Sequence, residues 1–208
     1  MANTKKVCYN PYKGAMIMNV YDFDDTIYEG DSTFDFYKFC LKKKPSIIFR
    51  FPAITALRFV LGFEKKLVFK ERFYRFLQCL ADTDAMVEAF WQTHLKNIKD
   101  WYKNQQKADD VIISASPEFL LTPACAALSI SCLMASRVDK HTGKYTGDNC
   151  WGEEKVLRFR EKFPDAVVDA FYSDSLSDTP MARLAKVAYI IKGTTLTEWK
   201  AYERTHKK

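Results

Sequence analysis

The stretch that decides the fold reads Asn19-Val20-Tyr21-Asp22-Phe23-Asp24-Asp25-Thr26. The apolar run that leads into it, residues 15–20, ends in two carboxylates two residues apart, Asp22 and Asp24. A short apolar run that ends in charge is typical of a buried parallel strand, whose carboxyl end faces the crevice where open α/β sheets bind ligands. Two acids at such a strand end predict that the crevice binds a cation.

Three further polar clusters follow in the chain. Ser114 comes at the end of the apolar run 111–113, Lys155 follows the sequence Trp151-Gly152-Glu153-Glu154, and Asp174 and Asp178 follow the run 167–172. Taken alone, each of these clusters also fits a helix cap or a solvated turn. Their shared position after apolar runs or at a helix start predicts one site, at one edge of a sheet.

The alternation of apolar runs and helical patterns indicates the fold class. Five runs predict buried strands, at residues 15–20, 111–113, 130–135, 167–172 and 187–191. Helical patterns lie between several of them, at residues 118–128, 153–163 and 180–185. Strands that alternate with helices predict an α/β fold with a Rossmann-like, doubly wound parallel sheet.

The segment 31–106 has a different pattern. Its aromatic residues recur at helical spacing and it contains no convincing strand. We therefore expect residues 1–30 and 107–208 to form one α/β core, and residues 31–106 to form an all-helical insertion. A turn-rich segment at 135–150 is consistent with a β-hairpin near the site.

The charge and the cysteines narrow the classes of function. The chain of 208 residues has a net charge of +6, and residues 31–81 contain eleven Lys or Arg against four acids. This basic region favours anionic partners, but no nucleic-acid-binding module is recognisable, so we expect no nucleic-acid partner. Six cysteines without Cys-x-x-Cys spacing, and a polar N-terminus without a secretion signal, predict a cytoplasmic protein with reduced thiols.

The ordered set of motifs resembles the haloacid dehalogenase superfamily, whose phosphatases carry Asp-x-Asp-x-Thr, then Ser or Thr, then Lys, then an acidic element. The resemblance implies a helical cap of the C1 type and a phosphomonoesterase with an aspartyl-phosphate intermediate. Asp22 would be the nucleophile, and Asp24 would be the general acid and base. Magnesium would be held by Asp22, by the backbone carbonyl of Asp24 and by Asp174, with waters completing an octahedron.

The resemblance also assigns the supporting residues. Ser114 and Lys155 would bind the phosphate, Asp178 would orient Lys155 or a metal-bound water, and Thr26 would tie down the loop after the first strand. Asp25 stands where the superfamily often has glycine, and we expect no catalytic part for it. Two other classes stay open: a signalling phosphoacceptor with an aspartate on a parallel sheet, and a peripheral membrane-binding protein without catalysis.

The motif details are similar to the phosphoserine phosphatase-like branch, subfamily IB, and more closely to the phosphatidylglycerophosphatase C enzymes. The second likeness is carried by Lys42-Lys43-Lys44-Pro45, by Cys150-Trp151-Gly152-Glu153-Glu154-Lys155-Val156 and by residues 172–180. The substrate would then be a small phosphorylated metabolite or a phospholipid headgroup phosphate. The apolar run 46–63 would complete the core of the insertion or lie on an anionic membrane, since its arginines disfavour a span.

Overall fold

The computed structural model describes residues 16–50 and 67–206. Its centre is a six-stranded sheet with the order β3-β2-β1-β4-β5-β6. The first five strands run parallel, and β6 runs antiparallel to β5. The strands are β1 (Ile17–Tyr21), β2 (Val111–Pro117), β3 (Cys132–Ser136), β4 (Val167–Ser173), β5 (Ala185–Lys192) and β6 (Thr195–Glu198).

Helices connect the strands and cover both faces of the sheet. Short 3₁₀ turns extend or precede several of them, at Arg75–Cys79, Leu95–Asn97 and Leu176–Asp178. The helices are α1 (Ser32–Lys43), α2 (Ile47–Arg50), α3 (Leu67–Tyr74), α4 (Thr83–His94), α5 (Asp100–Lys103), α6 (Glu118–Ala127), α7 (Glu153–Lys162), α8 (Thr179–Ala182) and α9 (Trp199–His206). The predicted α/β class with a doubly wound sheet is confirmed.

Two apolar clusters fill the two faces of the sheet, because successive residues of a strand point to opposite sides. Val20 packs in the same cluster as Phe159 of α7 and Trp199 of α9. Tyr21, the next residue of β1, packs in the other cluster, which also contains α6 and the helices from the 31–106 segment. These helices therefore share a continuous core with one face of the sheet.

The C-terminal part of the chain differs from the sequence prediction. Strand β6 was not predicted, because it is polar and mostly exposed, as an edge strand can be. It pairs with β5 through a tight turn, in which Gly193 has a φ of 61° that favours glycine. The helix expected at 180–185 ends at Ala182, since residue 185 already begins β5.

The segment at 135–150 forms turns instead of a regular hairpin. A single antiparallel bridge joins Val138 to Tyr145, and the turn between them is held by hydrogen bonds that the N–H groups of His141 and Thr142 donate to Asp139. Repeated side-chain bonds to one aspartate favour a compact turn over a strand ladder. The β-hairpin expectation was therefore wrong beyond this one bridge.

Within the described residues between Ser32 and Lys103, the regular structure is helical. The division of the chain into a core and an insertion stays a prediction, and residues 51–63 of the apolar run lie outside the described residues. None of the described helices is long and apolar enough to cross a membrane. The cysteines at positions 40, 79, 125, 132 and 150 carry free thiols.

Candidate active site

The four predicted motifs meet at the carboxyl edge of the parallel strands. A cavity of about 240 Å³ opens there, and the side chains around it come from the ends of β1, β2 and β4, from the first turn of α7, and from α1 and α3 with the residue before α1. The predicted residues that line this cavity are Asp22, Asp24, Ser114, Lys155, Asp174 and Asp178. Residues up to 156 positions apart in the chain are thus brought into one site, as the parallel topology requires.

Lys155 is the buried cation of the site. Its Nζ donates to Asp22 Oδ1 at 2.8 Å and to Asp178 Oδ2 at 2.7 Å. Gly152 precedes α7 with a φ of 60°, and this turn begins the helix so that Lys155 lies in its first turn. Burial by itself lowers the pKa of Lys155, but the two carboxylates outweigh it and the pKa is raised, so the ammonium stays charged.

Asp22 follows β1 directly and is anchored through its backbone. Its N–H donates to the carbonyl of Tyr172 in β4 at 2.8 Å. Asp178 accepts a second hydrogen bond on Oδ2, from the hydroxyl of Ser173 at 2.7 Å. Lys155 is therefore held by two carboxylates, and the contact between Asp178 and Lys155 is direct.

Asp24 is held by different partners. Its Oδ1 accepts from the backbone N–H of Ser32 at 2.7 Å, and its Oδ2 accepts from the hydroxyl of Ser116 in a very short contact. Ser32 is the first residue of α1, so the start of the helical segment contacts the site directly. The two acids of the first motif thus have separate surroundings: Asp22 lies beside a cation, and Asp24 lies among neutral donors.

Two further predicted residues occupy distinct positions. Ser114 is buried at the end of β2, and its Oγ accepts from the N–H of Ser116 at 3.1 Å. Thr26 is also buried, but its hydroxyl has no hydrogen-bond partner among the described residues. The loop after β1 is held by backbone bonds instead, including Asp25 N–H to Gly30 O at 2.9 Å. Asp25 has a φ of 52°, which explains why glycine is often found at this position.

Three carboxyl groups that line the cavity have a raised pKa. Burial raises the pKa of Asp22 to about 7, although the adjacent Lys155 lowers it. Burial and then the charge of Asp31 raise the pKa of Asp24 to about 7. Burial and then the charge of Asp22 raise the pKa of Asp174 to about 7. Burial is the largest cause in each case, because a charged carboxylate loses its hydration there.

Several cavity residues were not assigned a role from the sequence. Ser116 follows Ser114 by two residues, and this Ser-Ala-Ser spacing was the signal that could have found it. Five others come from the helical segment or from the approach to α7: Asp31, Thr33, Lys70, Tyr74 and Trp151. Of these five, only Lys70 and Tyr74 lie far from the motifs in sequence.

The donor set fits a hard cation such as Mg²⁺. Within the part of the chain that the structure describes, no group of three or more acidic, His or Cys side chains forms a complete metal cage. The expected set does not need one, since it uses two carboxylates, Asp22 and Asp174, with the backbone carbonyl of Asp24. Mg²⁺ commonly keeps several of its waters, so it needs only a few oxygen ligands from a protein.

The sheet order and the acid-lined crevice define a doubly wound α/β protein with an enzyme-like site. A family model described as haloacid dehalogenase-like hydrolase matches residues 20–183. The chain belongs to this family of hydrolases.

Relatives match over parts of their length. The chain is 34% identical over 113 residues to the protein CicA of Caulobacter vibrioides, a match that spans 50% of this chain and 51% of that protein. It is 34% identical over 93 residues to a protein of Mycobacterium tuberculosis named as a probable phosphatase, spanning 40% of this chain and 31% of that one. A histidinol-phosphatase of Neisseria meningitidis is 27% identical over 116 residues, with 49% and 52% covered. Each match spans about half or less of the relative.

Solved structures share the fold over a larger part of the chain. A Bordetella pertussis protein of unknown function has a TM-score of 0.69 at 18% identity, covering 81% of this chain and 86% of that one. A phosphoserine phosphohydrolase-like protein of Francisella tularensis has a TM-score of 0.52 at 17% identity, covering 84% and 85%. At these identities the likeness supports the fold.

Proposed function

We propose that this protein is a magnesium-dependent phosphomonoesterase that works through an aspartyl-phosphate intermediate. The observation that carries the proposal is the charge of the cavity. Six acids line it, at positions 22, 24, 25, 31, 174 and 178, against two lysines, Lys70 and Lys155. A surplus of carboxylates at strand ends attracts a cation, and a cation in turn attracts an anionic phosphate.

Residues of this chain supply the two displacements. Asp22 attacks phosphorus through its Oδ2 while Lys155 holds its Oδ1, and the bond from phosphorus to the leaving oxygen breaks. Asp24 gives a proton to the departing alcohol and then takes one from the water that hydrolyses the aspartyl phosphate. Ser114 and Lys155 donate to the phosphoryl oxygens. A bound Mg²⁺ supplies positive charge that lets the anionic nucleophile and the anionic substrate approach.

Replacing the nucleophile tests the proposal. We expect the wild-type protein with Mg²⁺ to hydrolyse 4-nitrophenyl phosphate and Asp22→Asn to lose at least ~10³-fold in kcat, since an amide cannot form the phosphoenzyme. Asp169→Asn, which changes a half-exposed acid on β4 paired with Lys186, is the matched control and should keep full activity. Turnover by Asp22→Asn would exclude Asp22 as nucleophile. Stable phosphorylation of Asp22 without turnover would favour a signalling phosphoacceptor.

The substrate class divides into a soluble phosphorylated metabolite and a phospholipid headgroup phosphate such as that of phosphatidylglycerophosphate. The described surface favours a contact with an anionic membrane. Lys42, Lys43 and Lys44 are exposed, and two exposed apolar side chains follow them, Ile48 at 45% and Phe49 at 88%. Apolar side chains beside lysines are the pattern of a segment that lies in the interface of an anionic bilayer.

Vesicle flotation separates the two substrate classes. We expect the protein to float with phosphatidylglycerol vesicles and not with phosphatidylcholine vesicles, and Phe49→Ser to weaken this binding. Leu157→Ser is the matched control, because Leu157 is an equally apolar exposed residue, at 64%, on α7 of the sheet region. Equal flotation of both variants, or none by the wild-type protein, would favour the soluble metabolite. A panel of phosphorylated metabolites and lipids would then identify the substrate.

A further inference from the structure

Ser116 has no role in the chemistry derived above, yet its hydroxyl donates a hydrogen bond to Asp24. We propose that Ser116 is a positioning residue that, together with Thr33, orients the Asp24 carboxyl for proton transfer to the leaving group. The inference rests on the proposed phosphatase function and adds a residue to it.

The hydrogen bonds around Asp24 leave little freedom to its carboxyl group. The N–H of Ser32 donates to Oδ1 at 2.7 Å, and the hydroxyl of Ser116 donates to Oδ2. The terminal torsion of an aspartate is otherwise broad, so one donor would leave the carboxyl plane poorly defined. Two donors on opposite sides, one from α1 and one from the end of β2, fix the plane.

The direction of the network follows from counting protons. A hydroxyl has one proton to donate, and Ser116 gives it to Asp24. While Asp24 is ionised, the contact between Ser116 Oγ and Thr33 Oγ1, at 3.1 Å, therefore has Thr33 as donor. Thr33 is 3% exposed and Ser116 is 8% exposed, so water competes little for these bonds. The chain of bonds runs from Thr33 through Ser116 to Asp24.

The neighbouring serine has a different task. Ser114 accepts the N–H of Ser116 at 3.1 Å, so its own hydroxyl proton is free for a phosphoryl oxygen in the cavity. The two serines of Ser114-Ala115-Ser116 are thus divided between the phosphoryl group and the acid–base residue. This division predicts that loss of Ser116 affects proton transfer and not phosphate binding.

The dependence of the rate on the leaving group tests this role. A weakly acidic phenol needs a proton as it leaves, whereas 4-nitrophenolate leaves without one. We therefore expect Ser116→Ala to lower kcat/KM for phenyl phosphate by at least ~10-fold, and kcat/KM for 4-nitrophenyl phosphate by less than ~3-fold. With 4-nitrophenyl phosphate, kcat of the variant should fall, because hydrolysis of the phosphoenzyme still needs Asp24 as base. This second step then becomes rate-limiting, and the variant should show a burst of nitrophenol.

Two companion variants complete the test. Ser116→Thr keeps the hydroxyl and should restore much of the phenyl phosphate activity, which a merely structural defect would not predict. Ser177→Ala removes another hydroxyl from the cavity lining, one that contacts Ser175 and not Asp24, and any loss should fall equally on both substrates. An equal loss on both substrates in Ser116→Ala would overturn the inference and leave the phosphatase proposal standing. Absence of wild-type turnover of both substrates would overturn both.

Discussion

Lys155 lies between two carboxylates in the interior of the protein, with 2% of its side chain exposed. Taking an ammonium group out of water costs several kcal/mol, and only close opposite charges offset this. Asp22 and Asp178 provide them, and both hydrogen bonds are shorter than 3 Å. The three charged groups therefore form one hydrogen-bonded unit.

We expect Lys155→Met to lower the free energy of unfolding by about 3 to 5 kcal/mol, because it leaves two buried carboxylates without their cation. Urea denaturation at neutral pH measures this. Lys186→Met is the control, since the Lys186 to Asp169 pair at 2.9 Å is about half exposed and should change stability by less than about 1 kcal/mol. A loss as small as that of the control would show that Lys155 is not a structural cation.

Asp110 gives the protein a stability that depends on pH. Its side chain is fully buried and accepts the N–H of Lys107 on Oδ2 at 2.9 Å. Burial raises the pKa of Asp110 to about 6, above the value of about 3.9 expected in the unfolded chain. Between these two values the folded protein binds more protons than the unfolded one, so stability falls as the pH rises.

We predict that Asp110→Asn removes the fall in stability with rising pH. The amide is neutral at every pH, and its oxygen still accepts the N–H of Lys107. The variant should gain about 1 to 3 kcal/mol over the wild type at pH 7.5, and much less at pH 4. Urea titrations at both values measure the difference. Asp148→Asn, at an exposed position, should give no such trend. A gain independent of pH would contradict the role of the buried charge.

Among the larger elements, the 139–149 loop links the sheet region to the helical segment. The loop follows β3 and contacts α3, the following 3₁₀ turn and α4. Its hydrogen bonds to them include Tyr145 N–H to Glu71 at 2.9 Å and Gln78 Nε2 to the carbonyl of Thr142 at 2.9 Å. Because α3 also carries Lys70 and Tyr74 into the cavity, this loop helps to shape the site.

Gly143 is the point of closest approach in this loop. It has a φ of 73°, and a Cβ built there would lie 2.5 Å from the carbonyl oxygen of Tyr74. We expect Gly143→Ala to cost more than about 2 kcal/mol of stability, because backbone must move and the left-handed conformation is strained as well. It should also raise KM, because Tyr74 lines the cavity. Thermal unfolding and steady-state kinetics measure the two effects.

Substitutions at two other glycines separate the steric clash of an added Cβ from the strain of a left-handed backbone conformation. Gly193 has a φ of 61° with open space around it, so Gly193→Ala carries the conformational strain alone, about 1 kcal/mol. Gly147 has no positive φ and its nearest neighbour would be 3.9 Å away, so Gly147→Ala should be close to neutral. If Gly143→Ala behaved like Gly193→Ala, the close packing of the loop on Tyr74 would be excluded.

The sequence predicted the elements whose pattern is local. The five parallel strands and α6 and α7 follow from apolar runs and helical spacing. Strand β6 escaped prediction because it is short, polar and mostly exposed, and α9 because it is only eight residues long and mostly polar. The same limit applies to the site. Residues at strand ends could be predicted, whereas Lys70 and Tyr74 reach the cavity only through tertiary packing of a helix.

For the molecule as a whole, the excess of carboxylates predicts that stability is linked to a divalent cation. We expect Mg²⁺ to raise the unfolding temperature. At 100 times its dissociation constant, the bound cation should add about 2.7 kcal/mol to the free energy of unfolding. Asp174→Asn should differ from the wild type both in the absence and in the presence of Mg²⁺. Without Mg²⁺ it should be more stable than the wild type, because one crowded acid beside Asp22 is gone, and with Mg²⁺ it should gain little. Thermal unfolding with Mg²⁺ and with a chelator measures both effects, and Asp169→Asn should keep the full Mg²⁺ shift. An undiminished shift in Asp174→Asn would place the cation elsewhere.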